Sequence, residues 1–270
     1  MCRWAAYRGT PIYLENLIAS PAHSLIEQSH CATKAKTATN GDGFGVAWYG
    51  ERPEPGLYRD ILPAWSDCNL KSLTHQIRAP LFLAHVRAST DGATTRDNCH
   101  PFVHGRWSFM HNGQIGGYRH LRRPLEHLLS DSLFLARHGS TDSELLFLLA
   151  VGFGLAERPA DAMERTLSAV IDVADAAGIE PHIRFTAAFS DGETLYAVRF
   201  ATDAFAPTLF ASPMGAAGGH CLVSEPFNDE AACWAEIPAN AFVTIDSTGL
   251  SVLPFMAEAC GVAPRLAAVG

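Results

Sequence analysis

The sequence has no CxxC pair, and its seven cysteines, at positions 2, 31, 68, 99, 221, 233 and 260, are odd in number and scattered. That pattern argues against a disulfide framework and a zinc ribbon, and for reduced thiols in a cytoplasmic protein. No apolar run approaches the ~20 residues of a bilayer-spanning helix, and the N-terminus carries no apolar signal core, so neither a membrane span nor a secretory leader is expected. Positive charge is scarce. Lys and Arg number 20 against 28 Asp and Glu, a balance of 20 − 28 = −8 with neutral histidines, which argues against a nucleic-acid partner. Internal repeats, low-complexity tracts and Gly/Ser linkers are also missing. What remains is an ordinary globular composition, 48% hydrophobic and 18% charged, over 270 residues that allow one large domain or two modest ones.

Strands dominate the two ends of the chain and helices its middle. Arg3 to Tyr7 reads as a strand ended by Gly9-Thr10-Pro11, and Tyr13 to Ala19 as a turn or two of helix, followed by a mixed segment to Ala38. Asn40-Gly41-Asp42-Gly43 is a tight turn into a buried strand, Phe44 to Tyr49. Because a strand follows these glycines, they are no dinucleotide fingerprint, and Asp42 is explained by turn chemistry. Arg52 to Pro63 reads as proline-bearing surface chain, Asn69 to Ile77 as a helix, Leu81 to Arg87 as an apolar strand with a polar far end, and Leu121 to Leu129 as a short helix. Thr141-Asp142-Ser143-Glu144 has capping-box form and opens an apolar helix to about Leu155; a second helix runs from Pro159 to Gly178. Six strands follow between Ile183 and Phe255, with Asp191-Gly192 turning the first hairpin. The order predicts an α+β domain with antiparallel sheets packed between helices.

Chemistry gathers where these elements end. One strand finishes in His85 and Arg87, another in Asn112 and Gly113, the first begins at Cys2, and a helix begins at Asp142. If Met1 is removed, Cys2 carries a thiol and a free α-amine on one residue. Such an amine titrates near ~7.7–8.0, close enough to neutral to act as a base. A thiol can attack a carbonyl, an Asn amide with a Gly N–H can hold an oxyanion, and an Arg with an Asp can grip the carboxylate and ammonium of an amino acid. The substrate that fits this set is a γ-linked glutamyl amide. Each residue also has a plainer explanation. Cys2 could open a buried strand, Arg87 could sit in a structural salt bridge, Asp142 could only favour a helix N-terminus, and His85 and His111 could support strand ends. The spacing of His85, His100 and His111 matches no common metal-ligand pattern.

Six pieces occur together and in order: Met1-Cys2, Gly41-Asp42-Gly43-Phe44-Gly45, His85-Val86-Arg87-Ala88-Ser89-Thr90, Asn98-Cys99-His100-Pro101-Phe102, His111-Asn112-Gly113 and Thr141-Asp142-Ser143-Glu144. In this the chain resembles the class II, N-terminal-nucleophile glutamine amidotransferases. Within that family, Pro21-Ala22-His23-Ser24, Pro63-Ala64-Trp65 and the same motif runs look closest to the glutathione-degrading amidotransferase subunit and the ergothioneine-pathway γ-glutamyl hydrolase. The resemblance implies a four-layer αββα fold and one amidotransferase domain over residues 1–270. Its motifs would lie in 2–150, with its remaining strands, including Val223-Ser224-Glu225-Pro226, running to about 256.

The resemblance also assigns roles. Cys2 is the nucleophile with its own amine as base, Asn112 and Gly113 form the oxyanion hole, and Arg87 and Asp142 hold the α-carboxylate and α-ammonium. Thr90 and His100 lie near the glutamyl pocket. No metal or organic cofactor is implied. Two positions depart from the amino-sugar and purine members: Ala88 stands where they usually carry Trp, and Asp91 where they have His. The implied activity is hydrolysis of a γ-glutamyl amide, glutamine or a glutathione-like compound, alone or with a peptidase subunit. Ammonia supply to a separate synthase subunit and non-catalytic sensing of a glutamine-like ligand stay open beside it.

Overall fold

The computed structural model describes residues 2–32, 39–89, 93–213, 218–228, 230 and 233–256. Its first strand, β1 (Arg3–Tyr13), shows how the molecule is built. Trp4 and Ala6 are buried in one apolar layer and Ala5 and Tyr7 in another, so β1 lies in a sheet covered on both faces. It does not stop at Gly9-Thr10-Pro11 as expected. The ladder absorbs that stretch as a register shift between Arg8 and Ile12, the kind of irregularity where a proline without an N–H is tolerated.

Next come α1 (Glu15–Ile18), α2 (Leu25–His30), β2 (Phe44–Tyr49), β3 (Gly56–Asp60), α3 (Cys68–Gln76) and β4 (Arg78–Val86). The middle holds β5 (Phe102–His104), β6 (Trp107–Ile115), α4 (Tyr118–Glu126), α5 (Asp131–Leu135), α6 (Asp142–Gly152) and α7 (Pro159–Ala176). The last part is β7 (Ile183–Ser190), β8 (Leu195–Ala201), β9 (Phe210–Pro213), β10 (Gly219–Val223), β11 (Ala235–Glu236), β12 (Ala241–Asp246) and β13 (Gly249–Pro254). Among the described residues, seven strands form one sheet in the order β11-β9-β10-β1-β4-β2-β3, and six form the other, β13-β12-β8-β7-β6-β5. Neighbouring strands pair antiparallel throughout.

Three apolar layers hold these elements together. Leu17, Leu25 and Leu70 of α1 to α3 pack with Phe44, Phe82 and Val86 on the outer face of the seven-stranded sheet. Leu121, Leu146, Phe147, Met163 and Leu167 of α4, α6 and α7 cover Phe109, Phe185 and Phe189 on the outer face of the six-stranded one. Between the sheets lie Trp4, Leu81, Leu83, Met110, Ala188, Leu195 and Val243. This is the four-layer αββα sandwich. In α6 every residue from Ser143 to Ala150 is buried, so the helix is apolar all round instead of carrying one stripe, as a fully enclosed helix must be.

Five short elements depart from the sequence-based expectation, among them the two-residue β11, a seventh strand where six were expected after Ile183. α2 occupies the segment read as mixed, and its start is marked by Ser24, whose hydroxyl accepts from Glu27 N. β3 lies in the proline-bearing stretch and pairs with β2 as an edge strand, where prolines just ahead of it do no harm to the ladder. α5 leaves Phe134 and Leu135 exposed and so has no periodic signature. β5 has only three residues.

Candidate active site

Strand alternation turns the polar strand ends toward the layer between the sheets. Trp4 and Ala6 of β1 face the layer between the sheets, and Cys2 is in phase with them. Leu81 and Leu83 of β4 face the same layer, which puts His85 and Arg87 in phase; Met110 of β6 does the same for Asn112. β1 and β4 are antiparallel neighbours with Arg3 opposite Val86, so the start of one lies beside the end of the other. The half-buried Cys2 thiol accordingly lies 3.6 Å from the Ala88 carbonyl oxygen, toward which it donates. Burial pushes this thiol above its ordinary range, while the positive charges of Arg87 and Arg3 oppose the rise.

Arg87 is 4% exposed. It donates to Ser89 Oγ at 3.0 Å and, at 3.4 Å, to the Asp42 carbonyl oxygen. Among the described residues no carboxylate pairs with it, so the salt bridge that would have made it purely structural is missing. Asp42 spends its carboxylate elsewhere, accepting from Ser89 N at 2.7 Å. The strand-like pairing of this turn continues through Asp42 N to Arg87 O at 3.0 Å and Arg87 N to Gly43 O at 2.8 Å. Gly43 has φ 113, and a Cβ there would stand 2.5 Å from Cys99 Sγ, so the turn needs its glycine. The Asp42 carboxylate thus ties the turn to the segment after β4, 47 residues on, instead of bonding within the turn itself.

On the facing sheet, Asn112 is 1% exposed, and neither its Oδ1 nor its Nδ2 has a partner among the described residues. An unpartnered buried amide costs about 1–3 kcal/mol, so both of its polar atoms stay open to a ligand. Gly113 follows, and a Cβ at that position would collide with the Arg184 carbonyl oxygen of β7. Two residues on, Ile115 N donates to Asp142 Oδ2 at 3.2 Å, and Asp142 Oδ1 accepts from Ser143 N at 2.7 Å. Asp142 is thus fixed but keeps carboxylate lone pairs in reserve. Gly113 and Asp142 line one open cavity of about 550 Å³ together with Tyr118, His120 and Ser140.

The capping box is only half formed. Thr141 Oγ1 accepts from Glu144 N at 3.2 Å, but the Glu144 carboxylate takes His138 N and Gly139 N at 3.0 and 2.7 Å. It therefore fastens the loop ahead of the helix. Asn98 adds a second latch, accepting from Ser140 N at 2.8 Å. Neither role was legible beforehand; the one hint was that Asn98 sits inside the Asn98–Phe102 motif.

His85, His100 and His111 form a buried group behind these residues. His85 and His100 stack at 4.2 Å, and the four ring nitrogens of this pair have no partner among the described residues. His111 lies on Phe185 at 4.7 Å and shares a 2.9 Å hydrogen bond with Ser143 Oγ. Burial drives His85 down to about 3 and lowers His100 and His111 as well, so all three are neutral at pH 7. His100 is 4% exposed and its ring also lies edge-on against Phe102 at 4.6 Å. Thr90 and Asp91, like Met1, lie outside the described residues. Among the described residues no group of three or more His, Cys, Asp or Glu is placed to hold a metal ion, and no helix is long and apolar enough to cross a membrane.

A family model described as class-II glutamine amidotransferases matches residues 16–217. The chain is 32% identical to a probable glutamine amidotransferase of Saccharomyces cerevisiae, DUG3, with 96% of this chain and 85% of that protein aligned. It is 27% identical to the γ-glutamyl-hercynylcysteine sulfoxide hydrolase of Mycolicibacterium smegmatis, over 94% of this chain and 100% of that one. Among solved structures, a glutamine aminotransferase class-II domain protein from Silicibacter pomeroyi shares 41% identity and a TM-score of 0.75, covering 94% of this chain and 99% of its own. A Bacillus subtilis glutamine phosphoribosylpyrophosphate amidotransferase shares the fold at TM-score 0.63 and 15% identity, over 94% of this chain and 49% of that one.

Proposed function

This chain belongs to the class II glutamine amidotransferases, and within that family we propose that it hydrolyses a γ-glutamyl amide bond through a thioester on Cys2. The observation that carries the reading is the buried Asn112 amide, without a partner among the described residues, on a strand in phase with Met110 of the inter-sheet layer that Trp4, in phase with Cys2, also lines. With Met1 removed, the Cys2 α-amine takes the thiol proton as sulfur attacks the γ-carbonyl carbon. The C=O π electrons move onto oxygen, and that oxyanion is held by Asn112 Nδ2 and the Gly113 N–H. The amine returns its proton to the leaving nitrogen, the C–N bond breaks, and a thioester remains. Water then gives a proton to the amine as it attacks the thioester carbon, the C–S bond breaks, the departing sulfur takes that proton back, and glutamate leaves. The raised thiol pKa fits this order, because the proton is still on sulfur when the substrate arrives.

Arg87, buried without a carboxylate among the described residues, takes the substrate α-carboxylate, and Asp142 takes the α-ammonium. The leaving group is ammonia or a larger amine. The two relatives support this class of substrate, since one carries an amidotransferase name and the other acts on a γ-glutamyl amide of a thiol-derived amine.

The test is intact mass before and after incubation with 6-diazo-5-oxo-norleucine, a glutamine-mimicking electrophile, on wild type and Cys2→Ala. The expected result is loss of the Met1 mass plus one adduct that the variant does not form. Active, soluble protein that keeps Met1 would overturn the mechanism, because the Cys2 nitrogen would then be a peptide nitrogen without basicity.

A further inference from the structure

Two segments that the sequence singles out without assigning them work, Pro21-Ala22-His23-Ser24 and Val223-Ser224-Glu225-Pro226, meet beneath the first strand. Arg3, next to Cys2, is 1% exposed, and its Nε stands 3.0 Å from Oε2 of the equally buried Glu225. Glu225 Oε1 is 2.6 Å from His23 Nε2, which donates to it. Gln28 ties the group down by donating to the His23 and Glu225 carbonyl oxygens at 3.0 and 3.2 Å. Ser224 fastens the same segment to β1, accepting from Trp4 N at 2.9 Å through its hydroxyl and donating to Trp4 O at 3.0 Å through its backbone. The far end of this assembly is the Arg3 Nη1, which donates to the Cys2 carbonyl oxygen at 3.0 Å.

We propose that Arg3 is a positioning residue for the nucleophile, braced by Glu225 and, through it, by His23. The proposal rests on reading Cys2 as that nucleophile. β1 pairs with β4 from Arg3 onward, so Cys2 lies just beyond the last paired residue of the ladder. A chain end in that position frays unless something ties it down. Its only backbone atom that a side chain could hold without blocking chemistry is the carbonyl oxygen, because the α-amine and the thiol both take part in the reaction. Arg3 approaches from the outer face of the sheet, where α2 and Glu225 lie, and leaves the inter-sheet face to substrate. Holding the carbonyl fixes the direction in which the amine and the thiol leave the backbone, and a misplacement of about 1 Å at a reacting atom can cost ~100-fold in rate. An ion pair that only joined β1 to the Glu225 segment would have no need of the Cys2 contact.

The experiment is inactivation by 6-diazo-5-oxo-norleucine, with the reagent's binding constant and its maximal inactivation rate measured separately for wild type, Arg3→Lys, Glu225→Gln and His23→Ala. Thermal unfolding is followed alongside. The expected result is a maximal rate lowered about tenfold or more in Arg3→Lys and Glu225→Gln and about threefold in His23→Ala. Reagent binding should stay within about twofold, since Arg87 and Asp142 are untouched. His23 lies at a partly exposed edge, so that variant decides the matter if the other two do not fold. Folded variants with the wild-type maximal rate, or with losses only in reagent binding, would overturn the proposal. Wild type that never forms the Cys2 adduct would instead overturn the nucleophile itself, a different and recognisable failure.

Discussion

Two arginines flank the same cysteine from opposite faces of the seven-stranded sheet. Arg3 lies on the outer face and Arg87 on the inner one, and they are 1% and 4% exposed. Beneath the sheet, Arg3 meets Glu225, which in turn meets His23. Above it, Arg87 meets a hydroxyl and a carbonyl but, among the described residues, no carboxylate. Burying a guanidinium costs several kcal/mol unless an anion compensates. The outer face carries its own anion. The inner face shows none among the described residues, which is the place the proposed substrate carboxylate would take. A completed ion pair stabilises a shape, whereas an incomplete one stores affinity for a ligand, and here the two are separated by one sheet thickness.

The comparison breaks first at Glu225. Glu225→Ala removes one partner of a buried pair and leaves Arg3 uncompensated, so urea unfolding should show a loss of about 3–5 kcal/mol. Arg87→Met should leave stability unchanged or raise it, because no carboxylate among the described residues loses its partner, while substrate binding fails. Equal stability losses in the two variants would mean that both arginines are structural.

Giving Arg87 what Arg3 already has sharpens the contrast. Ser89→Asp places a carboxylate where Ser89 Oγ now accepts from Arg87 at 3.0 Å. An internal anion would compete with the substrate α-carboxylate for one charge-assisted contact, about 1.5–3 kcal/mol, so KM should rise by roughly 10- to 150-fold with a smaller change in kcat. An unchanged KM would take the substrate carboxylate away from Arg87.

Acid should find the inner face first. His85 has a folded-state pKa of about 3, below its unfolded value near ~6.5. Above ~6.5 both states are neutral at this residue and no penalty applies. As pH falls below that value the unfolded chain takes up the proton and the folded protein does not, so stability is lost progressively until pH reaches about 3. The loss is ~1.4 kcal/mol per pH unit, or roughly 2 kcal/mol by pH 5 for His85 alone, with His100 and His111 shifted the same way. Urea denaturation at a series of pH values would reveal it, and His85→Gln should flatten the slope.

The inner face was readable in the sequence and the outer one was not, for a physical reason. Cys2, Arg87, Asn112 and Asp142 stand where apolar runs turn polar, and such a break in pattern is a local signal. Arg3 also breaks a pattern, but its partners Glu225 and His23 lie far away in sequence and come together only through the β1–β10 pairing and the packing of α2. The strands and the long helices followed from periodicity. β3 was hidden by the prolines before it, and α2 by its short length, although Ser24 with Glu27 three residues on was a start signal. The Thr141–Glu144 pattern marked the start of α6 correctly yet misassigned Glu144, because sequence spacing cannot show that the loop at His138 and Gly139 curls back within reach of its carboxylate.

The smallest expected effect tests which side of the divide Asp142 belongs to. Thr141→Ala removes the hydroxyl that accepts from Glu144 N and should cost about 1 kcal/mol. Asp142 itself is held by Ile115 N and Ser143 N, and the loop ahead of it by Glu144 and Asn98. The Thr141 carbonyl, which accepts from Tyr118 and Arg137 at 3.1 and 3.3 Å, survives the substitution. With so many independent ties, the carboxylate should keep its place, and KM should stay within about twofold while unfolding shifts. A tenfold rise in KM with the same small stability loss would mean that the cap alone aims Asp142. The ammonium grip would then depend on a single hydroxyl, unlike the braced assembly beneath Cys2.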